Sequence, residues 1–268
     1  MGSGIAQLAA QSGFDTLLYE LNDTVLESSC KGIENILQKL VDKKKIAVSE
    51  KEEIFRRIHY TNDIQNCIAD VFIEAVVEKE EVKITLFNQL AERNHSECIF
   101  ATNTSSLSVT KIAKSVKNPE RVIGMHFFNP APVMKLVEIV KTGYTNERTT
   151  QIIVELATQM GRTPVQCKDS PGFIVNRVAR PYYIESLKMA EEGVSDFSHI
   201  DVLMEATGFK MGPFRLMDLI GNDVNYAVSV SVHDQLGRPE RLQPSHIQKE
   251  KVEAGELGKK TGKGYYQY

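Results

Sequence analysis

The chain has 268 residues, 42% of them apolar and 25% charged, with a formal net charge of −3; that length can bury a substantial core, and the mild acidity gives no reason to expect a nucleic-acid partner. No run approaches the roughly 18 apolar residues of a membrane helix, and the first residues lack the charged-then-apolar design of a signal peptide. Four scattered cysteines (Cys30, Cys67, Cys98 and Cys167) form no CxxC pair and have no histidine at metal spacing, so the expectation is a cytoplasmic protein, with a matrix-type organelle as the alternative, and with no metal and no membrane contact.

Met1-Gly2-Ser3-Gly4-Ile5-Ala6 runs into an amphipathic helix, and a strand over Thr16–Tyr19 then ends at Glu20. This is the back half of a dinucleotide fingerprint, in which glycines open a helix and an acid follows the next strand. By itself the Gly2/Gly4 pair is equally an ordinary helix start, and Glu20 an exposed strand-end acid. Their coupling favours the fingerprint, with Glu20 accepting hydrogen bonds from both ribose hydroxyls and repelling a 2′-phosphate, hence NAD. The strand and the first two glycines that open such a fingerprint are absent from the numbered residues.

Further along, β-branched runs at Val71–Ala75, Ile99–Thr102, Val122–His126 and Leu136–Val140 alternate with helical patterns at Asp23–Lys44, Glu80–Arg93, Val109–Val116 and Glu147–Met160. Such alternation reads as a doubly wound parallel sheet with crossover helices. Asp23 and Asn146 are expected as N-caps, and Gly161 follows the last helix where a C-terminal glycine belongs. At Asp169-Ser170-Pro171-Gly172 the pattern changes and the remainder reads as helical. The expected division is therefore a Rossmann-type nucleotide-binding domain over residues 1–168, its first strand absent, and an all-α domain over 169–268. A helical unit of that size commonly packs against a second copy, so a homodimer is expected.

Two loops carry the chemistry. In His126-Phe127-Phe128-Asn129-Pro130-Ala131-Pro132 a histidine stands at the carboxyl end of a strand, where open α/β sheets hold their ligands. Histidine as a residue type suits proton exchange with an alcohol while hydride leaves the same carbon. Glu138 on the next strand can orient the imidazole and stabilise its protonated form. A lone strand-end histidine is more often structural; the proline-rich loop and the acid shift the balance. Ala101-Thr102-Asn103-Thr104-Ser105-Ser106 is a polar cluster at another strand end, equally readable as a capped loop. Asn176, opening the helical domain, can reach back to a cleft, and Lys43-Lys44-Lys45 attracts phosphates or is simply solvated.

MGSGIAQ, ATNTSSL, MHFFNPAPVMKLVEIV, DSPGFIVNR, MGPFRLMDLIG and GKKTGKGYY together, in that order and over essentially the whole chain, resemble the 3-hydroxyacyl-CoA dehydrogenase family. The likeness is to its monofunctional members, whose bacterial representatives often act on 3-hydroxybutyryl-CoA. It implies NAD-dependent oxidation of a short 3-hydroxyacyl-CoA thioester to the 3-ketoacyl-CoA, with His126 as acid/base and Glu138 as its paired acid. It also implies that Ser105 and Asn176 contact the reacting end of the substrate and that Lys43 contacts coenzyme A. Gly2, Gly4, Glu20, Glu78, Lys83, Asn103, Ser105, Asn129 and Lys260 are the implied cofactor positions. Glu20 replaces the family's usual aspartate, and Ile36 stands where the family has a CoA-binding serine. Competing readings are a β-hydroxyacid dehydrogenase acting on free acids, which would use a lysine base, and a non-catalytic crystallin-like protein on the same fold.

Loss of a central strand exposes two sheet edges and part of a pyrophosphate cradle. Residues 1–268 are therefore expected to bind NAD poorly unless the preceding segment is restored. Titration of NAD into this chain and into an N-terminally extended one measures the effect; equal affinities would overturn the expectation.

Overall fold

A computed structural model describes residues 1–268, which divide into two compact units, Met1–Asp169 and Ser170–Tyr268. The first unit alternates helix and strand in chain order: α1 Gly2–Gln11, β1 Thr16–Tyr19, α2 Asp23–Asp42, α3 Val48–Arg56, β2 Ile58–Thr61, β3 Val71–Glu74, α4 Glu80–Arg93, β4 Ile99–Thr102, α5 Val109–Lys114, β5 Val122–Phe127, β6 Leu136–Lys141, α6 Glu147–Gln159 and β7 Thr163–Lys168. It is Rossmann-like, with helices flanking mainly parallel strands. The second unit is helical: α7 Val175–Glu191, α8 Phe197–Ala206, α9 Pro213–Ile220, α10 Asn222–Gln235 and α11 His246–Glu253. No helix is long and apolar enough to cross a membrane.

The strands form two sheets: β1 pairs in parallel with β2, while β3-β4-β5-β6-β7 make a second sheet of five. No ladder joins β1 to β3, so each keeps one unpaired edge, and α1 links the two sheets by packing. Ile5 and Leu8 belong to the cluster around Ile99, Ile123, Met125, Val137 and Ile139. Ala10, two residues past Leu8, packs with Ile33, Leu37, Ile54 and Ile58.

The sequence pattern needs four corrections. The second sheet is mixed, because β6 runs antiparallel to β5; the segment 128–135 that joins them is too short for a crossover helix. β7, unforeseen because Pro164 interrupts it, is an edge strand, where the missing N–H is tolerated. The predicted long helix ends at Asp42, Lys44 turns to φ 54°, and α3 follows as a separate element before the equally unforeseen short strand β2. The cap of α2 is Asn22 rather than Asp23: Asn22 Oδ1 accepts from Val25 N at 3.1 Å. Asn146 caps α6 as expected, and Gly161 follows that helix at φ 66°.

In the second unit two buried carboxylates act as hubs. Asp218 accepts from the backbone N–H groups of Tyr265 and Tyr266, both at 3.0 Å, and so ties the GKKTGKGYY tail to α9. Asp201 accepts from Phe214 N at 2.8 Å and from the Tyr266 hydroxyl at 2.7 Å.

Gly124 sets the spacing of β5 on β6. It pairs with Val140, and a Cβ there would lie 2.7 Å from Val140 Cβ. Gly124→Ala is expected to destabilise the fold by roughly 1–3 kcal/mol through overpacking. Urea denaturation measures it, and an unchanged midpoint would refute the constraint.

Candidate active site

Three neighbouring parallel strands bring their carboxyl ends to one rim of the sheet, in register: Glu74 of β3 opposite Thr102 of β4, and Thr102 opposite Gly124 of β5. His126 lies two residues further along β5. This is the edge at which open α/β sheets bind ligands.

The antiparallel register places Glu138 of β6 directly across from His126. Opposed residues of such a pair share a face, so the two side chains meet. His126 Nδ1 lies 2.7 Å from Glu138 Oε2. A carboxylate only accepts, so the shared proton belongs to Nδ1, which leaves Nε2 as the basic nitrogen. Both residues are buried, Glu138 fully, and the Phe128 ring lies 4.6 Å from the imidazole, centroid to centroid.

A second network lies under the adjacent strand ends. Lys83 of α4, 1% exposed, donates to Glu74 Oε1 at 2.7 Å and lies 3.2 Å from Glu78 Oε2. Glu74 also accepts from the Thr102 hydroxyl at 2.7 Å and from Val76 N at 2.7 Å. The other Glu78 oxygen gathers the loop after β4, accepting from the Thr104 hydroxyl at 2.5 Å, Ser105 N at 3.2 Å, Ser106 N at 3.3 Å and the Ser106 hydroxyl at 3.0 Å. Burial pushes the Glu78 carboxyl up, but the bonds from Thr104, Lys83 and Ser106 outweigh it and hold the group below its ordinary value. Asn103 Oδ1 accepts from Phe127 N at 2.8 Å, which fastens the same loop to the histidine strand.

Glu20 follows β1 and accepts from Asn22 N at 3.1 Å. It borders a cavity of about 370 Å³ lined also by Tyr19, Leu21, Val76, Val82 and Leu86. Gly2 and Gly4 open α1, and a Cβ on Gly4 would come within 3.3 Å of Pro132 Cδ. A helix start with outward N–H groups, a strand-end carboxylate and an apolar slot beside it fit the pyrophosphate, ribose and base of a dinucleotide.

The two units match, in order, the NAD-binding domain of 3-hydroxyacyl-CoA dehydrogenase over residues 1–170 and its C-terminal domain over 172–268. The chain belongs to the 3-hydroxyacyl-CoA dehydrogenase family. It is 46% identical, over its whole length, to the 3-hydroxyadipyl-CoA dehydrogenase of Escherichia coli, of which it spans 57%. A probable 3-hydroxybutyryl-CoA dehydrogenase of Deinococcus radiodurans is 40% identical over the whole chain and 96% of its own length. The crystal structure of (S)-3-hydroxybutyryl-CoA dehydrogenase PaaH1 from Ralstonia eutropha superposes with a TM-score of 0.95 at 34% identity, covering 100% of this chain and 95% of that one.

Within this dehydrogenase-family chain the remaining sequence-derived positions are spread widely. Asn129 is exposed in the loop between β5 and β6, and Lys43 is exposed at the end of α2. Asn176 is half-buried near the start of α7. Lys260 pairs with Asp223 inside the second unit, at 2.6 and 2.7 Å. Sequence reasoning passed over Glu74, although an acid closing the otherwise apolar strand Val71-Phe72-Ile73 signals a buried partner. It also missed Asp169, read only as a boundary. One oxygen of that residue accepts from the Ser108 hydroxyl and from Thr110 N, both at 2.8 Å, and so fixes the start of α5.

Because the folded value of Glu78 is depressed, its stabilisation is fully present above the unfolded carboxylate value of about 4.3 and is lost as pH falls through the lower folded value. The stability gap between the parent and Glu78→Gln is expected to be widest near neutrality and to close in acid. Denaturation at a series of pH values checks this, and a pH-independent gap would contradict it.

Proposed function

We propose that this chain catalyses the NAD-dependent interconversion of short 3-hydroxyacyl-CoA and 3-ketoacyl-CoA thioesters. The observation that carries the reading is the buried 2.7 Å bond between His126 and Glu138 at the carboxyl rim of the sheet, in a chain of this family. His126 Nε2 removes the 3-hydroxyl proton. Glu138, accepting from Nδ1, keeps the imidazole in the right tautomer and stabilises the cation that forms. NAD, when bound, supplies the acceptor for the hydride that leaves C3. In the reverse direction His126 returns the proton to the carbonyl oxygen.

The other residues bind and orient. Ser105, whose backbone is anchored by Glu78, presents its hydroxyl from a loop already ordered, so less conformational entropy is lost on binding substrate. Together with Asn176 it takes the oxygens of the acyl group. Gly2 and Gly4 cradle the pyrophosphate and Glu20 holds the ribose. Glu78, Asn103, Asn129 and Lys260 serve the cofactor, with Lys83 acting from beneath through Glu78. Lys43 meets the phosphates of coenzyme A. A chain of four to six carbons is supported by the relatives described as 3-hydroxybutyryl- and 3-hydroxyadipyl-CoA dehydrogenases.

His126→Gln is expected to lower turnover of acetoacetyl-CoA, followed through NADH absorbance, by about 10²–10⁴-fold while ester binding persists. Glu138→Gln, which keeps the shape but not the charge, is expected to reduce turnover with little change in KM. Retained turnover in His126→Gln would eliminate it as the acid/base. Free acetoacetate should be a poor substrate beside the thioester; parity would favour a free-acid dehydrogenase.

A further inference from the structure

Arg162, between α6 and β7 of the first unit, directs its guanidinium at main-chain oxygens. Nε donates to Met160 O at 3.0 Å, close by in the chain. Nη1 reaches a different segment, donating to Met134 O at 2.9 Å and to Ala131 O at 3.3 Å. Burial lowers the pKa of the group. A flat, forked cation can serve carbonyls of two segments at once, which a lysine ammonium does less well.

Ala131 and Met134 belong to the connection between β5 and β6, which folds into a tight turn: Pro130 O accepts from both Val133 N and Met134 N at 2.9 Å. At the far end of that turn Lys135 O accepts from Thr163 N at 2.7 Å. The connection is thus closed on itself and held from outside by consecutive residues, Thr163 through its backbone and Arg162 through its side chain. Only the second hold depends on residue type. The turn in turn supports α1. Ala131, 2% exposed, packs in one cluster with Ile5 and Leu8 of that helix. A Cβ on Gly4 would lie 3.3 Å from Pro132 Cδ and 3.7 Å from Ala131 Cβ, so the first turn of α1 abuts the connection closely.

We infer that Arg162 is a positioning residue for the dinucleotide: by clasping the turn between β5 and β6 it fixes the first turn of α1, whose N–H groups receive the pyrophosphate. The inference rests on the reading above that Gly2 and Gly4 cradle that group. Donors at a helix start hold an anion only while they point at it, so a turn that shifts under Gly4 weakens pyrophosphate binding. The slot beside Glu20 is lined from β1 and α4 and does not include the turn, so adenosine binding is unaffected. The His126–Glu138 pair is held by the strand ladder and is likewise undisturbed.

The experiment titrates ADP-ribose and adenosine separately into the parent chain, Arg162→Met and Pro132→Ala, followed by calorimetry at high ligand concentration. Both ligands fill the slot beside Glu20; only ADP-ribose carries the pyrophosphate. Arg162→Met is expected to weaken ADP-ribose by about two- to thirtyfold, the range for residues that act on a ligand without touching it, and to leave adenosine unchanged. A clamp that served stability alone would not choose between the two ligands. Equal losses for both, or no loss for ADP-ribose, therefore overturn the inference. Pro132→Ala keeps the guanidinium and withdraws the surface beneath Gly4, so it should reproduce the selective loss. It decides the matter if Arg162→Met does not fold, and losses in it that are equal or absent refute the route through the turn. Failure of the dinucleotide reading itself looks different: the parent would then bind ADP-ribose no better than adenosine, and the inference would fall with it.

Discussion

One cross-strand hydrogen bond organises the β5–β6 rim of the sheet. His126 and Glu138 meet because β5 and β6 run antiparallel in the register that sets them opposite one another. A shift by one residue would send one of the two side chains through to the other face of the sheet. The carboxylate has no exposure to water, so the imidazole N–H takes one of the places that water fills elsewhere, and removing either group would leave the other a hydrogen bond short in a buried place. The close approach of the strands at Gly124 and Val140 belongs to the same constraint. The register and the spacing of these two strands jointly hold the pair.

A parallel logic governs the next loop. Two acids and one lysine, Glu74, Glu78 and Lys83, form a network in which the lysine is the only cation. One carboxylate is committed inward, to Thr102 and the lysine. The other is turned outward to gather Thr104, Ser105 and Ser106. The inner acid fixes the lysine, the lysine steers the outer acid, and the outer acid shapes the loop, so a residue with no surface of its own influences one that has some. Such buried polar networks specify a single arrangement when every member is satisfied.

Much of this was legible in the residues. The strand ending in His126, the acid on the following strand and the polar loop after Thr102 each lie in an element that the hydrophobic pattern marks, and β1, β4 and α4 have the limits the pattern gives them. The orientation of β6 was not read from the alternation of residue types, because that alternation is the same in parallel and antiparallel strands; only the length of the connecting loop carries the answer. β7 was hidden by Pro164, whose acceptability depends on the strand lying at an edge, a property of the assembled sheet. Glu74 and Lys83 come from separate elements, so no sequence spacing announces their association. The cap at Asn22 rather than Asp23 is a one-residue choice between two good capping side chains that the backbone alone decides.

The hold of Asp218 on the tail of the second unit runs through the backbone N–H groups of Tyr265 and Tyr266, which every residue except proline carries. That tether is therefore indifferent to the side chains at the two positions, and a proline there, or loss of the carboxylate, is what would release the tail from α9.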